Sequence, residues 1–222
     1  MLCENILFQF GIERKKKMDR QYEIRTLHIE EVREIYHQYL QFHFVEEERK
    51  PLKAIERMWE QNQYFALGMF EKEQKSLAGY AFFSSCIDGD MVLLDYFAML
   101  EKERGKGLGS LFLQHMQDTL QESFRGILIE TEDVSFAKNE QELEERNRRN
   151  DFYLRNGAKK TGITSRIYDA RYEVYVLPFG EMSMLDLELL SKLSFENIYG
   201  IYQYMIPGEK NEKFVSFWKK QE

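Results

Sequence analysis

Cysteine is scarce: Cys3 and Cys86 are the only two among 222 residues. They make neither a disulfide framework nor a metal-ligand spacing, which fits a cytoplasmic protein and leaves no metal site to expect. Long apolar runs are missing, so no membrane-spanning helix is expected. The opening ten residues are apolar but carry Glu4, and they lack a basic leader and a small-residue cleavage site, so they are not expected to be a secretory signal. Basic charge is not in excess: the formal net charge is −7, which argues against general nucleic-acid binding while leaving a local anion site open. Internal repeats and low-complexity linkers are absent as well. What the chain does have is 43% apolar content, enough for the core of one domain, or of one domain with an appendage.

Between residues 91 and 120 the apolar pattern changes period. Met91 to Leu100 is nearly continuous apolar sequence, interrupted by Asp95, as in a strand buried on both faces. Leu108, Leu111, Phe112, Met116 and Leu120 recur instead at helical spacing on one stripe. The turn between them alternates glycine with other residues: Arg104, Gly105, Lys106, Gly107, Leu108, Gly109, Ser110. Glycine lets a backbone approach a ligand closely, and the unpaired N–H groups of the new helix point at the same place. With the charges of Arg104 and Lys106 the turn suits a phosphate or pyrophosphate. Neither G-x-x-x-x-G-K-[ST] nor G-x-G-x-x-G is present, so it is neither a Walker loop nor a dinucleotide fingerprint.

Residues 104–109 do read R-x-x-G-x-G, and this segment resembles the pyrophosphate-binding signature of the GNAT superfamily of N-acetyltransferases. Downstream, Asn150-Asp-Phe-Tyr153-Leu-Arg-Asn-Gly157-Ala158 is similar to the family's second element, a helix ending in an aromatic–tyrosine pair followed by glycine and a short apolar residue. The resemblance implies an α/β fold over residues 21–178: a central mixed, mostly antiparallel sheet with two splayed parallel strands and flanking helices. A helical C-terminal extension over residues 179–222 follows, expected either to pack on the domain or to form a homodimer contact. Residues 1–20 are expected to be an arm outside the domain. Residues 13–17 correspond largely to purine codons, as in a ribosome-binding region, which points to Met18 as the natural start; otherwise the segment is a solvated arm.

The rest of the pattern agrees with that order. A strand is expected over residues 22–27, a helix over 29–44 with Val32, Ile35, Tyr36, Tyr39, Leu40 and His43 on one face, and a helix from Pro51 to about Asn62. Strands over 64–70 and 77–87 flank a charged turn, and Asp88-Gly89-Asp90 is a tight connection into the strand at 91. A strand over 126–132 comes next, then a helix capped by Asn139 with Glu142 three residues on and closed by Gly157, then a hairpin over 163–167 and 172–177. In the extension, Ser183 is the expected cap of a helix whose apolar face is Leu185, Leu189, Leu190 and Leu193.

The resemblance also implies chemistry. Acetyl-CoA is the expected cosubstrate, with its pantetheine arm between the strands over 91–100 and 126–132 and its pyrophosphate on the glycine turn. Backbone N–H groups of a bulge near Met99 and Leu100 would meet the thioester carbonyl and the pantetheine amides and stabilise an oxyanion. The family often has asparagine, two residues, then alanine ahead of the aromatic–tyrosine pair. Here Arg146 and Arg149 stand at those positions, and Asn147 and Asn150 are the nearby replacements. Tyr153 is the expected acid for the departing thiolate. An attacking alkylamine has a pKa near ~10.4 and must lose a proton, so a base is needed. Asp95, alone among apolar neighbours, and Glu130 and Glu132, on one face of their strand, are the candidates. A structural role for Asp95, bonded to backbone or a tyrosine, is the competing reading, and His43 reads as a packed core edge. The expected activity is acetyl transfer from acetyl-CoA to a primary amine by direct attack in a ternary complex. The alternative is an acyl-CoA-binding regulatory module without turnover. The acceptor is a small molecule or a peptide amine, for which Tyr36, Tyr39, Phe42, Phe44, Glu46, Glu47 and Glu48 are either a lining or an ordinary packed helix and acidic loop. Neither nucleic acid nor membrane is an expected partner.

Overall fold

The computed structural model describes residues 21–219, so the arm expected over 1–20, with Met18, lies outside the described residues. Strand β1, Tyr22–Thr26, leads into helix α1, Ile29–Ile35, which continues through a π-helical turn at Tyr36–Leu40 to Gln41–His43. Val32, Ile35 and Leu40 are buried on the face expected for them, with Tyr36, Tyr39 and His43 half-buried beside them. Glu31 closes a capping box with His28 and forms a two-pronged pair with Arg25, which fixes the start of α1. Helix α2, Leu52–Glu60, begins after Pro51 and buries Ile55 and Met58.

Strands β2, Tyr64–Glu71, and β3, Ser76–Ser84, come next, followed by β4, Met91–Met99. In β4 the burial pattern alternates at its end, with Asp95, Phe97 and Met99 half-buried on one face. Helix α3, Leu108–Leu120, follows the glycine turn, and strand β5, Gly126–Glu132, has the bounds its sequence implies. Helix α4, Glu140–Arg155, is capped by the Asn139 side chain, which accepts from the Glu142 N–H at 2.9 Å. It ends at Gly157, whose φ of +95° is the left-handed closure that favours glycine. Strands β6, Lys159–Ile167, and β7, Ala170–Pro178, form the hairpin. β6 starts earlier than expected because a register shift between Lys160 and Thr164, with Gly162 at φ +74°, interrupts its alternation.

Among the described residues, eight strands make one sheet in the order β1-β2-β3-β4-β5-β7-β6-β8, where β8 is Val215–Lys219. β4 and β5 are parallel, in register from Met91–Gly126 to Leu94–Ile129, while the β1–β2, β5–β7, β6–β7 and β6–β8 pairs are antiparallel. The described chain divides into two compact units, and each has its own buried side chains. The first comprises residues up to Arg49 with Phe65–Phe82 and Tyr96–Met116, and it buries Leu40, Met69, Tyr80, Phe82 and Phe112. The second comprises Lys50–Tyr64, Phe83–Asp95 and the chain from Gln117, and it buries Met58, Ile127, Leu128, Tyr175 and Val176.

The extension departs from expectation. Asp186, not Ser183, caps its main helix α5, Leu187–Met205, by accepting from the Leu189 N–H at 2.8 Å. The Ser183 hydroxyl instead donates to the Gly180 carbonyl within a short 3-10 turn. The buried stripe is Leu190, Ser194, Asn197, Ile198, Ile201, Tyr202 and Met205; Leu189 faces out and Leu185 precedes the helix. Ile198, Ile201 and Met205 set this phase, and extending it backwards at helical spacing lands on Ser194 and Leu190. Asn197 anchors the stripe, accepting from the Met91 N–H and donating to Asp90. After α6, Glu209–Phe214, the chain becomes β8 and pairs with β6 from Ile163–Lys219 to Ile167–Val215. The extension therefore supplies a strand as well as helices.

Candidate active site

The glycine turn lies in the first unit. Gly105 and Gly107 have φ of +74° and +81°, a region that favours glycine, and a Cβ built on Gly105 would meet open space. Gly109 lies in the first turn of α3, outside the positive-φ set. Ser110 follows it in that turn, and Leu108 is buried at the helix start. The Arg104 Nε donates to the Met99 carbonyl at 3.1 Å, which ties the turn to the end of β4. Lys106 pairs with the buried Glu103 at 3.0 Å, and Glu103 also accepts from the Tyr22 hydroxyl. Leu100 corrects one expectation: its N–H donates to the Ala78 carbonyl at 2.9 Å, so strand pairing already uses that donor. His43 bonds through Nδ1 to the Tyr80 hydroxyl at 2.9 Å and stacks on its ring. Burial, then the Arg104 charge, hold His43 below its usual pKa, as suits a packed neutral imidazole. Around the expected acceptor lining, Phe44 packs edge-on against Tyr96 at 4.9 Å and the Tyr96 hydroxyl donates to the Glu48 carbonyl. Phe42 is 78% exposed and Glu46 is exposed; the Glu47 side chain lies outside the described residues.

The second unit gathers the carboxylates. Asp95 accepts from the Lys50 ammonium through Oδ1 and from the Tyr64 hydroxyl through Oδ2. Its side chain is 5% exposed, so the structural reading of Asp95 is the one the geometry favours. Glu130 is held differently. Its Oε1 accepts from the Ser165 hydroxyl on β6 and its Oε2 from the Tyr202 hydroxyl on α5, each at 2.5 Å. Burial raises the Glu130 pKa, the two hydroxyls and Lys50 oppose that rise, and Asp95 adds to it. Glu132, two residues along the same face, is ion-paired with Arg149.

Helix α4 packs on β5 and carries the remaining candidates. Tyr153 is buried, and among the described residues its hydroxyl has no hydrogen-bond partner. Burial pushes its pKa up to about 12, with Arg149 opposing, so the phenol holds its proton at neutral pH. Asn150 is buried with its side-chain oxygen unpartnered, whereas Asn147 is exposed. Arg146, where the family pattern has asparagine, is spent on structure: it donates to the Asp133 carbonyl and to Glu142. Ser165, Tyr202, Lys50 and Tyr64 were not singled out by sequence, because each reaches its carboxylate only through tertiary folding. Among the described residues no group of three His, Cys, Asp or Glu is arranged to hold a metal ion, and no helix is long and apolar enough to cross a membrane.

The chain runs strand, glycine turn, helix, and its mixed sheet contains a parallel strand pair. The acetyltransferase (GNAT) family model matches residues 29–141, and the chain belongs to that family. No curated protein matches. A solved spermidine N-acetyltransferase from Vibrio cholerae, in complex with CoA and spermine, is 13% identical with a TM-score of 0.52 and covers 75% of this chain and 99% of its own. The ribosomal-protein-S18-alanine N-acetyltransferase from Escherichia coli is 18% identical with a TM-score of 0.51, covering 72% and 94%. A GNAT-family protein from Bacteroides thetaiotaomicron is 17% identical with a TM-score of 0.56, covering 81% and 99%. At these identities the solved structures bear on the fold alone.

Proposed function

We propose that this acetyltransferase moves an acetyl group from acetyl-CoA to a primary amine by direct attack, with Glu130 accepting the amine proton and Tyr153 protonating the thiolate that leaves. The observation that carries the reading is Tyr153: a buried side chain whose protonated hydroxyl makes no hydrogen bond among the described residues and so is open to a ligand, at the position the family motif reserves for tyrosine. Left-handed Gly105 and Gly107, with open space at the first, and the unpartnered oxygen of Asn150 suit a pyrophosphate and an amide-bearing arm. Asp95 is already engaged by a cation, which leaves Glu130 as the carboxyl best suited to take a proton. The amine nitrogen bonds to the acyl carbon, the carbon–sulfur bond breaks, one amine proton passes to Glu130 and the Tyr153 proton passes to sulfur.

Thermal shift tests the donor first. Acetyl-CoA at about a hundredfold excess over its dissociation constant should stabilise the fold by about 2.7 kcal/mol, and ATP or NAD should not. Gly107→Val should lose that shift; an undiminished shift would remove the pyrophosphate assignment. Release of CoA thiol with a panel holding a polyamine, an aminoglycoside, an amino acid and a peptide N-terminus then tests turnover. Acetyl-CoA binding without thiol release from any of them would favour a binding module.

A further inference from the structure

Helix α5 lies outside the residues matched by the family model, yet it places the Tyr202 hydroxyl on Glu130. We propose that this C-terminal helix is part of the reaction centre, with Tyr202 the positioning residue that holds Glu130 to receive the amine proton. The inference rests on the reading of Glu130 as the base.

Both carboxyl oxygens are fixed, Oε1 by Ser165 and Oε2 by Tyr202, so the plane of the group is set by two elements that converge from different parts of the chain. Each oxygen has two lone-pair sites, and one hydroxyl fills only one of them. The carboxyl is thus oriented while keeping room to accept from an amine. Hydroxyl donors also differ from a cation in what they do to basicity: they favour the charged form without pairing off its charge. Tyr202 remains a donor throughout, because burial and the Glu130 charge hold its pKa well above 10.0. Its ring packs edge-on against Phe217 of β8 at 5.5 Å, and its backbone carbonyl accepts from Asn211 at 2.8 Å. Removing the hydroxyl alone leaves both of those contacts. The charged and titratable groups around Glu130 are Lys50 ahead of α2, Asp95 on β4 and Tyr202 on α5, with Tyr172 of β7 acting on Tyr202.

Isotope-edited infrared titration of the full chain, with labelled glutamate, reads this directly and needs no acceptor. Glu130→Gln identifies the Glu130 carboxyl band by its loss. In Tyr202→Phe that band should titrate higher than in the wild type by about one to two pH units, the scale set by losing one hydrogen bond to a charged group. Ser165→Ala, which leaves α5 untouched, should move it in the same direction. An unmoved band in a folded Tyr202→Phe overturns the proposal. Rates with the amine selected from the thiol-release panel separate the two layers. If Glu130→Gln keeps wild-type turnover, the base assignment fails and the proposal goes with it. If Glu130→Gln is impaired while Tyr202→Phe keeps the wild-type rate and pH profile, the base stands and the positioning role alone is lost. The expected result is a lower kcat in Tyr202→Phe with the acceptor KM little changed, and the acidic limb of the rate–pH profile, where the base loses its proton, displaced to higher pH.

Discussion

Asp95 and Glu130 stand on the neighbouring parallel strands β4 and β5, and both are carboxylates in largely apolar sequence. Their partners separate them. Asp95 has a cation on one oxygen and a phenol on the other, so its charge is compensated where it sits. Glu130 has a hydroxyl on each oxygen and, among the described residues, no ion pair. At Glu130 the two hydroxyls orient the group, and burial outweighs them to raise its pKa. The first arrangement builds structure and the second keeps a base. The largest predicted effect tests that division. Glu130→Gln should lower acetyl transfer by ~10²–10⁴-fold with little change in Tm, the range for a positioned general base. Asp95→Asn should do the reverse, with a far smaller rate loss and a destabilisation of about 3 kcal/mol from breaking an ion pair whose carboxylate side is only 5% exposed. For a chain of this size that is a fall in Tm of about 6–12 °C. Equal rate losses with equal stability would erase the distinction between the two carboxylates.

The same contrast explains what was legible in the sequence. The glycine turn, the Asn139 cap and the Gly157 closure are local, so their geometry follows from residues within a few positions of each other. Both candidate carboxylates were visible because charge in a buried strand is conspicuous. Their partners were not: Ser165 and Tyr202 approach Glu130 from separations of 35 and 72 residues, with no periodic signal linking them. The Leu100 donor was misjudged for a related reason, since its partner Ala78 belongs to another strand. Strand β8 was missed because five aromatic-rich residues after a helix carry too short an alternation to separate a strand from a packed tail.

An intermediate effect sharpens the comparison by isolating the acid from the base. Tyr153→Phe removes a hydroxyl and keeps the ring, so acetyl-CoA affinity should hold while acetyl transfer falls by ~10²-fold, the low end for a general acid, because thiolates leave readily. That defect should shrink as pH rises and the leaving group needs its proton less. The Glu130→Gln defect should not shrink in the same way until the amine loses its own proton to solvent. Rate–pH profiles of both variants with one acceptor check this, and parallel profiles would mean that the two residues do not have separate roles.

The smallest effect lies in stability against pH, where Glu130 can be set beside Glu31. Arg25, chiefly, with the His28 N–H assisting, holds Glu31 down at about 2 from the ordinary 4.5. The unfolded chain therefore binds the extra proton in that window, so the contribution of Glu31 is present above about 4.5 and lost as pH falls through about 2. Because Arg25 is well exposed, solvent screening limits it to ~1 kcal/mol. Glu130 is shifted upward, so here the folded chain keeps the proton longer. Its contribution is complete below the ordinary 4.5 and declines as pH rises through its raised value. Denaturant unfolding followed across this range should show Glu31→Gln flattening the acid side alone and Glu130→Gln flattening the decline above it. A Glu130→Gln curve parallel to the wild type on the rising side would make Glu130 an ordinary solvated carboxylate, unable to hold a proton at the pH where an amine must give one up.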